Sequence, residues 1–440
     1  MQSGRRSKSP WCVEPSHRVG AFSLGMGVNE ALAIVQKMGS LDQAEFSFDE
    51  QCPFDVDLTL RLPTWGIQLC FDAYQQDLRV ITVQLQEEEG TSSEAPEASL
   101  LPALVYGGRE FAAAGTPAPS LKEVYQMFGL APLGDFRLDP RPSYLLKYPG
   151  LAFEFPLPED MVDSLAAKKK HPMDLDGRPV PTAVRLWVLA SDAASVQAPV
   201  SVVPELVEAV VVWPGLGVEL SGKRLRFGAM PQDVFSDFGP PQQVCVKDMN
   251  ASRIHSGRSL SKPGSLDYYY NYFYLGMDVL FDGQTHLVQK IVLHTNPPTH
   301  ERFSRYTRCF FQLQLPEDIF EQDAGAGKRD STGDELHQSE DKAQTQSCPD
   351  AGGGACIDVR WLWPEIEKAL QRAGPSKSGP GVMNRSDDRH TSFGSTYFYA
   401  FPGLIFEVMQ NDYLASLTVF NVPAADLPSI FRERPALQLA

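Results

Sequence analysis

The chain has 440 residues, of which 43% are hydrophobic, 10% aromatic and 21% charged, an ordinary globular balance that provides a core for about two to four domains. Its net charge of −16 argues against a general role in gripping nucleic-acid phosphates or anionic lipid, and leaves only local basic patches for such work. Seven scattered cysteines without a C-x-x-C pair suit a reducing compartment, no apolar segment follows the basic start to make a signal peptide, and no apolar run is long enough to span a membrane.

Residues 1–19 read as a flexible N-terminus. Over 24–39, Val28, Leu32 and Val35 recur at helical spacing, with Asn29 near the start and Gly39 as the stop. A strand follows in which Ile67, Leu69 and Phe71 share one face, and 78–85 is its return across a short polar turn. Residues 87–109 read as an acidic loop. The next helix is expected within 114–129, where Leu121, Val124 and Phe128 share a face and Ser120 stands at the N-cap position. Leu151, Phe153 and Phe155 mark another strand, and 183–190 its return, with a long insertion at 156–182 between them. After a connector at 193–219, a third helix is expected within 227–239. Met277, Val279 and Phe281 then form a strand returned by 287–294, with a Ser-rich, basic insertion at 252–265. Residues 299–320 supply a connecting strand. The segment 321–355 is an acidic, Gly- and Ser-rich linker whose composition cannot bury enough surface to order itself. The last helix, within 359–374, places Ile366, Leu370 and Ala373 on one stripe and Pro364 in the first turn, where its missing N–H costs nothing. Leu404, Phe406 and Val408 form the last Gly-led strand, 414–420 returns it, and 423–440 is a tail.

One order therefore recurs: a helix that ends at a Gly, a strand with apolar residues one, three and five places after another Gly, and a hairpin return. The expected fold is α+β, with four degenerate helix-plus-antiparallel-hairpin modules at 20–86, 110–192, 220–298 and 356–422, their sheets covered by helices. Neighbouring modules are expected to pair so that their strands extend one sheet.

Chemical motifs are sparse. Gly217, Gly222 and Lys223 approach a phosphate-binding loop, but Arg224 stands where Ser or Thr would hold Mg²⁺, and a turn at Ser221–Gly222 accounts for the stretch. His286, His294 and His300 have seven and five residues between them, which is no metal-ligand spacing. No G-x-S-x-G elbow and no paired carboxylates stand out, and Asp72, Asp282 and Glu407 read as the solvent face of their strands. No catalytic residue, metal or cofactor is expected. The most unusual stretch is 267–276, where Tyr268, Tyr270, Tyr272 and Tyr274 alternate with further aromatics. One face of that strand can serve the core, and the other is a candidate partner contact. Lys168, Lys169 and Lys170 form the candidate lipid contact.

Two blocks, "DYYYNYFYLGMDVLFDGQTHLVQKIVLHTNPP" (267–298) and "FGSTYFYAFPGLIFEVMQNDYLASLTVF" (393–420), resemble the signature blocks of the phagophore assembly factor family. "FSLGMGVNEALAIVQ" (22–36) and "DLTLRLPTWGIQLCFDAYQQDLRVI" (57–81) are similar to its N-terminal block. The resemblance implies a cytoplasmic, non-enzymatic autophagy protein that pairs with a WD40 β-propeller protein of the breast-carcinoma-amplified-sequence type. It implies recruitment to the phagophore, with phosphoinositide recognition lying largely in the propeller and no nucleic acid involved. A trafficking or membrane-contact adaptor that touches anionic lipid directly through Lys168–Lys170 is the alternative. "WPEI" (363–366) also matches an aromatic-x-x-aliphatic pattern that binds ubiquitin-like modifiers by strand addition, but Trp363 and Ile366 fit the buried stripe of the last helix.

Overall fold

The computed structural model describes residues 9–86, 100–138, 141–158, 161–162, 172, 180–190, 209–247, 266–314, 356–373, 381–383, 395–428 and 431. The chain divides into two compact units, Met1–Val203 and Pro204–Ala440.

The first unit opens with β1 (Trp11–Glu14), β2 (Arg18–Val19), β3 (Phe22–Ser23) and helix α1 (Val28–Met38). Four strands follow: β4 (Glu45–Ser47), β5 (Leu58–Leu62), β6 (Ile67–Phe71) and β7 (Leu78–Gln84). Then come β8 (Leu104–Tyr106), β9 (Arg109–Ala112), α2 (Leu121–Phe128), β10 (Asp135–Arg137), β11 (Ser143–Tyr148), β12 (Leu151–Pro156) and β13 (Arg185–Leu189). These make a five-stranded sheet, β3-β2-β1-β8-β9, and an eight-stranded sheet, β10-β11-β12-β13-β7-β6-β5-β4. The larger sheet is two antiparallel four-stranded meanders, β4–β7 and β10–β13, joined where β7 pairs with β13.

In the second unit the order is β14 (Val210–Trp213), β15 (Gly217–Leu220), β16 (Lys223–Arg226), α3 (Pro231–Phe238), β17 (Gln243–Val246), β18 (Tyr268–Tyr272), β19 (Met277–Phe281) and β20 (Val288–His294). It continues with β21 (Phe311–Gln314), β22 (Cys356–Ile357), α4 (Trp363–Ala373), β23 (Gly381–Met383), β24 (Thr396–Phe401), β25 (Leu404–Val408) and β26 (Leu414–Phe420). Its sheets run β16-β15-β14-β21-β22 and β17-β18-β19-β20-β26-β25-β24-β23. Element order and strand order are thus the same in both units. The described residues bear out an α+β fold.

Period-two alternation drives the large sheets. Ile67, Leu69, Phe71, Leu151, Phe153, Phe155, Met277, Val279, Phe281, Leu404, Phe406 and Val408 are all buried, as the inward face of a half-buried strand requires. Helices cover this face: Phe128 of α2 lies 5.1 Å from Phe153, and Phe238 of α3 lies 6.5 Å from Tyr272. Helix α2 starts at the expected Ser120 cap. Its hydroxyl accepts from the Glu123 N–H, and the Glu123 carboxylate accepts from the Ser120 N–H at 2.7 Å, so two end donors are satisfied reciprocally. Gly39 ends α1 in the left-handed region.

Several expectations need correcting. The recurring Gly does not begin a lone strand but closes a hairpin, since β5, β11, β18 and β24 precede β6, β12, β19 and β25. Each segment is therefore a four-stranded meander rather than a strand and its return. Residues 1–19 were expected to be flexible, yet β1 pairs in parallel with β8 and Val13 is buried. Such pairing joins residues about ninety apart in sequence, so no local pattern announces it. For the same reason β8 lies inside the expected acidic loop 87–109, and β14 inside the expected connector 193–219. Helix α3 covers only Pro231–Phe238 of the expected 227–239, because Met230 before it is extended. The tail from 423 is not free throughout: Leu427 is buried beside Gly215. Most of the insertion 156–182, the insertion 252–265 and the linker 321–355 lie outside the described residues.

Candidate functional site

The aromatic strand β18 is mostly consumed within its own unit. Tyr268, Tyr270 and Tyr272 point to the helix-covered face, opposite Phe281, Val279 and Met277. The Tyr268 ring stacks on Phe281 at 5.2 Å and the Tyr270 ring lies 4.7 Å from the same phenylalanine. Tyr272 is wholly buried, and its hydroxyl donates to the Gly239 carbonyl at 3.0 Å. It is therefore not available as the partner contact expected of it. Tyr274 is 48% exposed, although its hydroxyl donates to the Phe238 carbonyl at 2.8 Å. Burial raises the pKa of Tyr272 and Tyr274 alike. Both hydroxyls cap the carbonyl end of α3, which the helix itself leaves unsatisfied.

On the opposite face of the same sheet a polar row crosses five strands. Asn271 pairs with Asp278, His294 with Ser416 and Ser416 with Glu407, while Asp278 pairs with Val292 and reaches His294 diagonally. The segment 295–310 lies over this row. At one end Asp278 accepts from Asn271 Nδ2 at 2.7 Å and from the Tyr306 hydroxyl at 2.8 Å, and stands 2.9 Å from His294 Nε2. The Tyr306 and His294 rings stack at 3.9 Å. Burial alone would raise the Asp278 pKa, but the hydrogen bonds from His294, Asn271 and Tyr306, with the attraction of His294, hold it below the usual carboxylate value. At the other end Glu407 accepts from Ser416 Oγ at 2.7 Å and Thr396 Oγ1 at 3.2 Å and lies 3.3 Å from His300 Nε2. Glu407 was expected on the solvent face, but all of these groups are buried. The first unit carries a related set, in which Glu154 takes Ser143 Oγ at 3.0 Å and Arg185 Nη1 at 3.2 Å.

These sets tie neighbouring strands to one another and to the 295–310 segment. Each histidine directs Nε2 at a carboxylate, and each carboxylate is filled by neighbouring donors. Sequence reasoning missed them because the partners are far apart; the only signal was a lone charge inside an apolar run, as at Asp278 and Glu407. Among the described residues no group of three or more His, Cys, Asp or Glu is placed to hold a metal ion.

The remaining candidates resolve simply. Residues 217–226 form the β15–β16 hairpin, with Ser221 and Gly222 both at positive φ, the two-residue turn that strand twist favours. His286 sits at φ 59° in the turn after Asp282, whose carboxylate accepts from the N–H groups of Gln284 and Thr285. Lys168, Lys169 and Lys170 lie outside the described residues. In the "WPEI" stretch, Trp363 and Ile366 are buried, with the Trp363 ring stacked on Tyr399 at 4.0 Å and 5.6 Å from Phe406. Trp363→Ala is expected to destabilise the second unit by about 3–5 kcal/mol. Thermal unfolding checks this, and a variant as stable as the parent would return the tryptophan to the surface.

The chain matches the family model described as phagosome assembly factor 1 over residues 18–420. It is similar to the PHAF1 protein of Arabidopsis thaliana, 28% identical over 93% of this chain and 92% of that one. The PHAF1 protein of Drosophila melanogaster is likewise 28% identical, over 93% and 92%, and that of Caenorhabditis elegans 25% identical, over 91% and 90%. No solved structure matches. No helix among the described residues is long and apolar enough to cross a membrane.

Proposed function

Because the chain belongs to the phagosome assembly factor 1 family, we propose that it is a non-enzymatic scaffold of autophagy, recruited to the phagophore by pairing with a WD40 β-propeller protein of the breast-carcinoma-amplified-sequence type. The observation that carries this reading is the reach of the family match, which spans both units. The polar row supports it. A catalytic constellation needs a group free to meet substrate, whereas Asp278 and Glu407 are filled by the chain's own donors. We further read the four helix-plus-meander segments as degenerate copies of one unit, supported by their repeated strand order.

A tagged pull-down from starved cells, followed by mass spectrometry, tests the proposal. A propeller protein recovered in near-equal amount is the expected result. Recovery of the bait alone, or with metabolic enzymes only, would contradict it. Vesicle binding by the purified chain, lost when Lys168, Lys169 and Lys170 are changed to Glu, would instead favour direct contact with anionic lipid.

A further inference from the structure

The two units end their large sheets differently. In the first, the edge strand β4 carries the exposed charge of Glu45. Charges of this kind keep an edge from recruiting a foreign strand. The corresponding edge of the second unit, β17, reads Gln-Val-Cys-Val and carries no charge. Val244 is 55% exposed and Val246 59% exposed. Among the described residues no strand pairs with the outer side of β17.

The ladder fixes which backbone groups are free. Lys247 N–H donates to the Asp267 carbonyl at 2.8 Å, so the hydrogen-bonded pairs with β18 are Lys247–Asp267, Cys245–Tyr269 and Gln243–Asn271. Val244 and Val246 therefore turn their N–H and C=O groups outward. Their side chains stand opposite Tyr270 and Tyr268, on the face that runs into the core. Cations mark both ends of the strand. The Arg305 guanidinium donates to Gln243 Oε1 at 3.4 Å and has no carboxylate partner among the described residues. Lys247 stands at the other end, 3.8 Å from Asp267, which offsets it in part. Basic residues at both ends of an uncharged edge are notable in a chain of net charge −16.

We propose that the outer edge of β17 is a docking strand for an extended segment of a partner protein, apolar at alternate positions and flanked by acidic residues. This deepens the scaffold reading and rests on it. Strand addition joins the partner's backbone to the outward groups of Val244 and Val246, and its alternate side chains extend the valine–tyrosine strip. The acidic flanks meet Arg305 and Lys247.

The test is fluorescence anisotropy on the full chain with a labelled peptide of alternating valine and threonine, flanked by acidic residues. Saturable binding is expected, weaker by at least about tenfold when alternate peptide nitrogens are methylated, because the added ladder cannot form. Val244→Pro is expected to weaken binding to a similar degree while leaving the melting temperature nearly unchanged, since that N–H is not used within the sheet. A lysine-flanked peptide is expected to bind less well. Absence of saturable binding, or equal binding of the methylated peptide, overturns the proposal. So does a dimer that Val244→Pro converts to monomer, because the edge then serves a second copy. If Val244→Pro unfolds, the methylated-peptide comparison on the unmodified chain still decides. If the propeller protein is recovered equally with the parent chain and with Val244→Pro, and no peptide binds, the edge is not the docking strand and the scaffold reading stands.

Discussion

Asp278→Ala is expected to destabilise the second unit by about 3–5 kcal/mol, the range seen when one member of a buried charged network is removed. The substitution takes the acceptor from Asn271, Tyr306 and His294 at once. All three are buried, so no solvent replaces it, and each unsatisfied donor adds its own desolvation cost. The segment 295–310 loses its Tyr306 anchor on the sheet as well. Because the folded-state pKa of Asp278 is depressed, its contribution is present above the unfolded-state pKa. It is lost as pH falls through the lower folded-state value. Urea titrations at a series of pH values check both statements. Asp278→Asn, which keeps an acceptor but cannot ionise, is expected to be milder at neutral pH and to lose this part of the acid dependence. An alanine variant of unchanged stability would mean that the network adds nothing to the fold.

Gly276→Ala is expected to cost about 3–5 kcal/mol, from a strained backbone and from overlap with a segment that cannot retreat. Gly276 sits at φ 62°, where a side chain costs roughly 1–2 kcal/mol. A Cβ there would also overlap the Thr307 carbonyl and stand 2.9 Å from Cys309 Cβ. That segment is pinned by Thr307 N–H to the Phe273 carbonyl and Cys309 N–H to the His294 carbonyl, both at 2.8 Å. Gly39→Ala is the control. Its φ of 72° is similarly left-handed, but an added Cβ meets nothing within 4 Å, so only the conformational part, about 1 kcal/mol, is expected. Equal losses at the two glycines, measured by denaturant midpoint, would rule out the overlap.

What sequence shows of this fold depends on how far apart the interacting residues lie. Phe153, Phe281 and Phe406 declare their strands because alternation is local. Ser120 and Gly39 declare helix ends because capping acts within a few residues. The β15–β16 turn is legible in Ser221–Gly222 for the same reason. By contrast, β1 and β8 are too short to carry a period and exist through their pairing with each other. The Glu407–His300 contact joins residues 107 positions apart, and no spacing rule reaches that far. The tyrosines of β18 were legible as an aromatic strand. That Tyr272 is core while Tyr274 remains half-exposed follows from where α3 ends, which only the folded chain decides.

The measurement that tests the scaffold account most directly is imaging of the fluorescently tagged chain in starved cells, with and without the proposed propeller partner. The account predicts puncta at forming autophagosomes that disappear when the propeller is removed, while the chain itself stays folded and abundant. Puncta that persist without the propeller, or a chain that never gathers at these membranes, would contradict it.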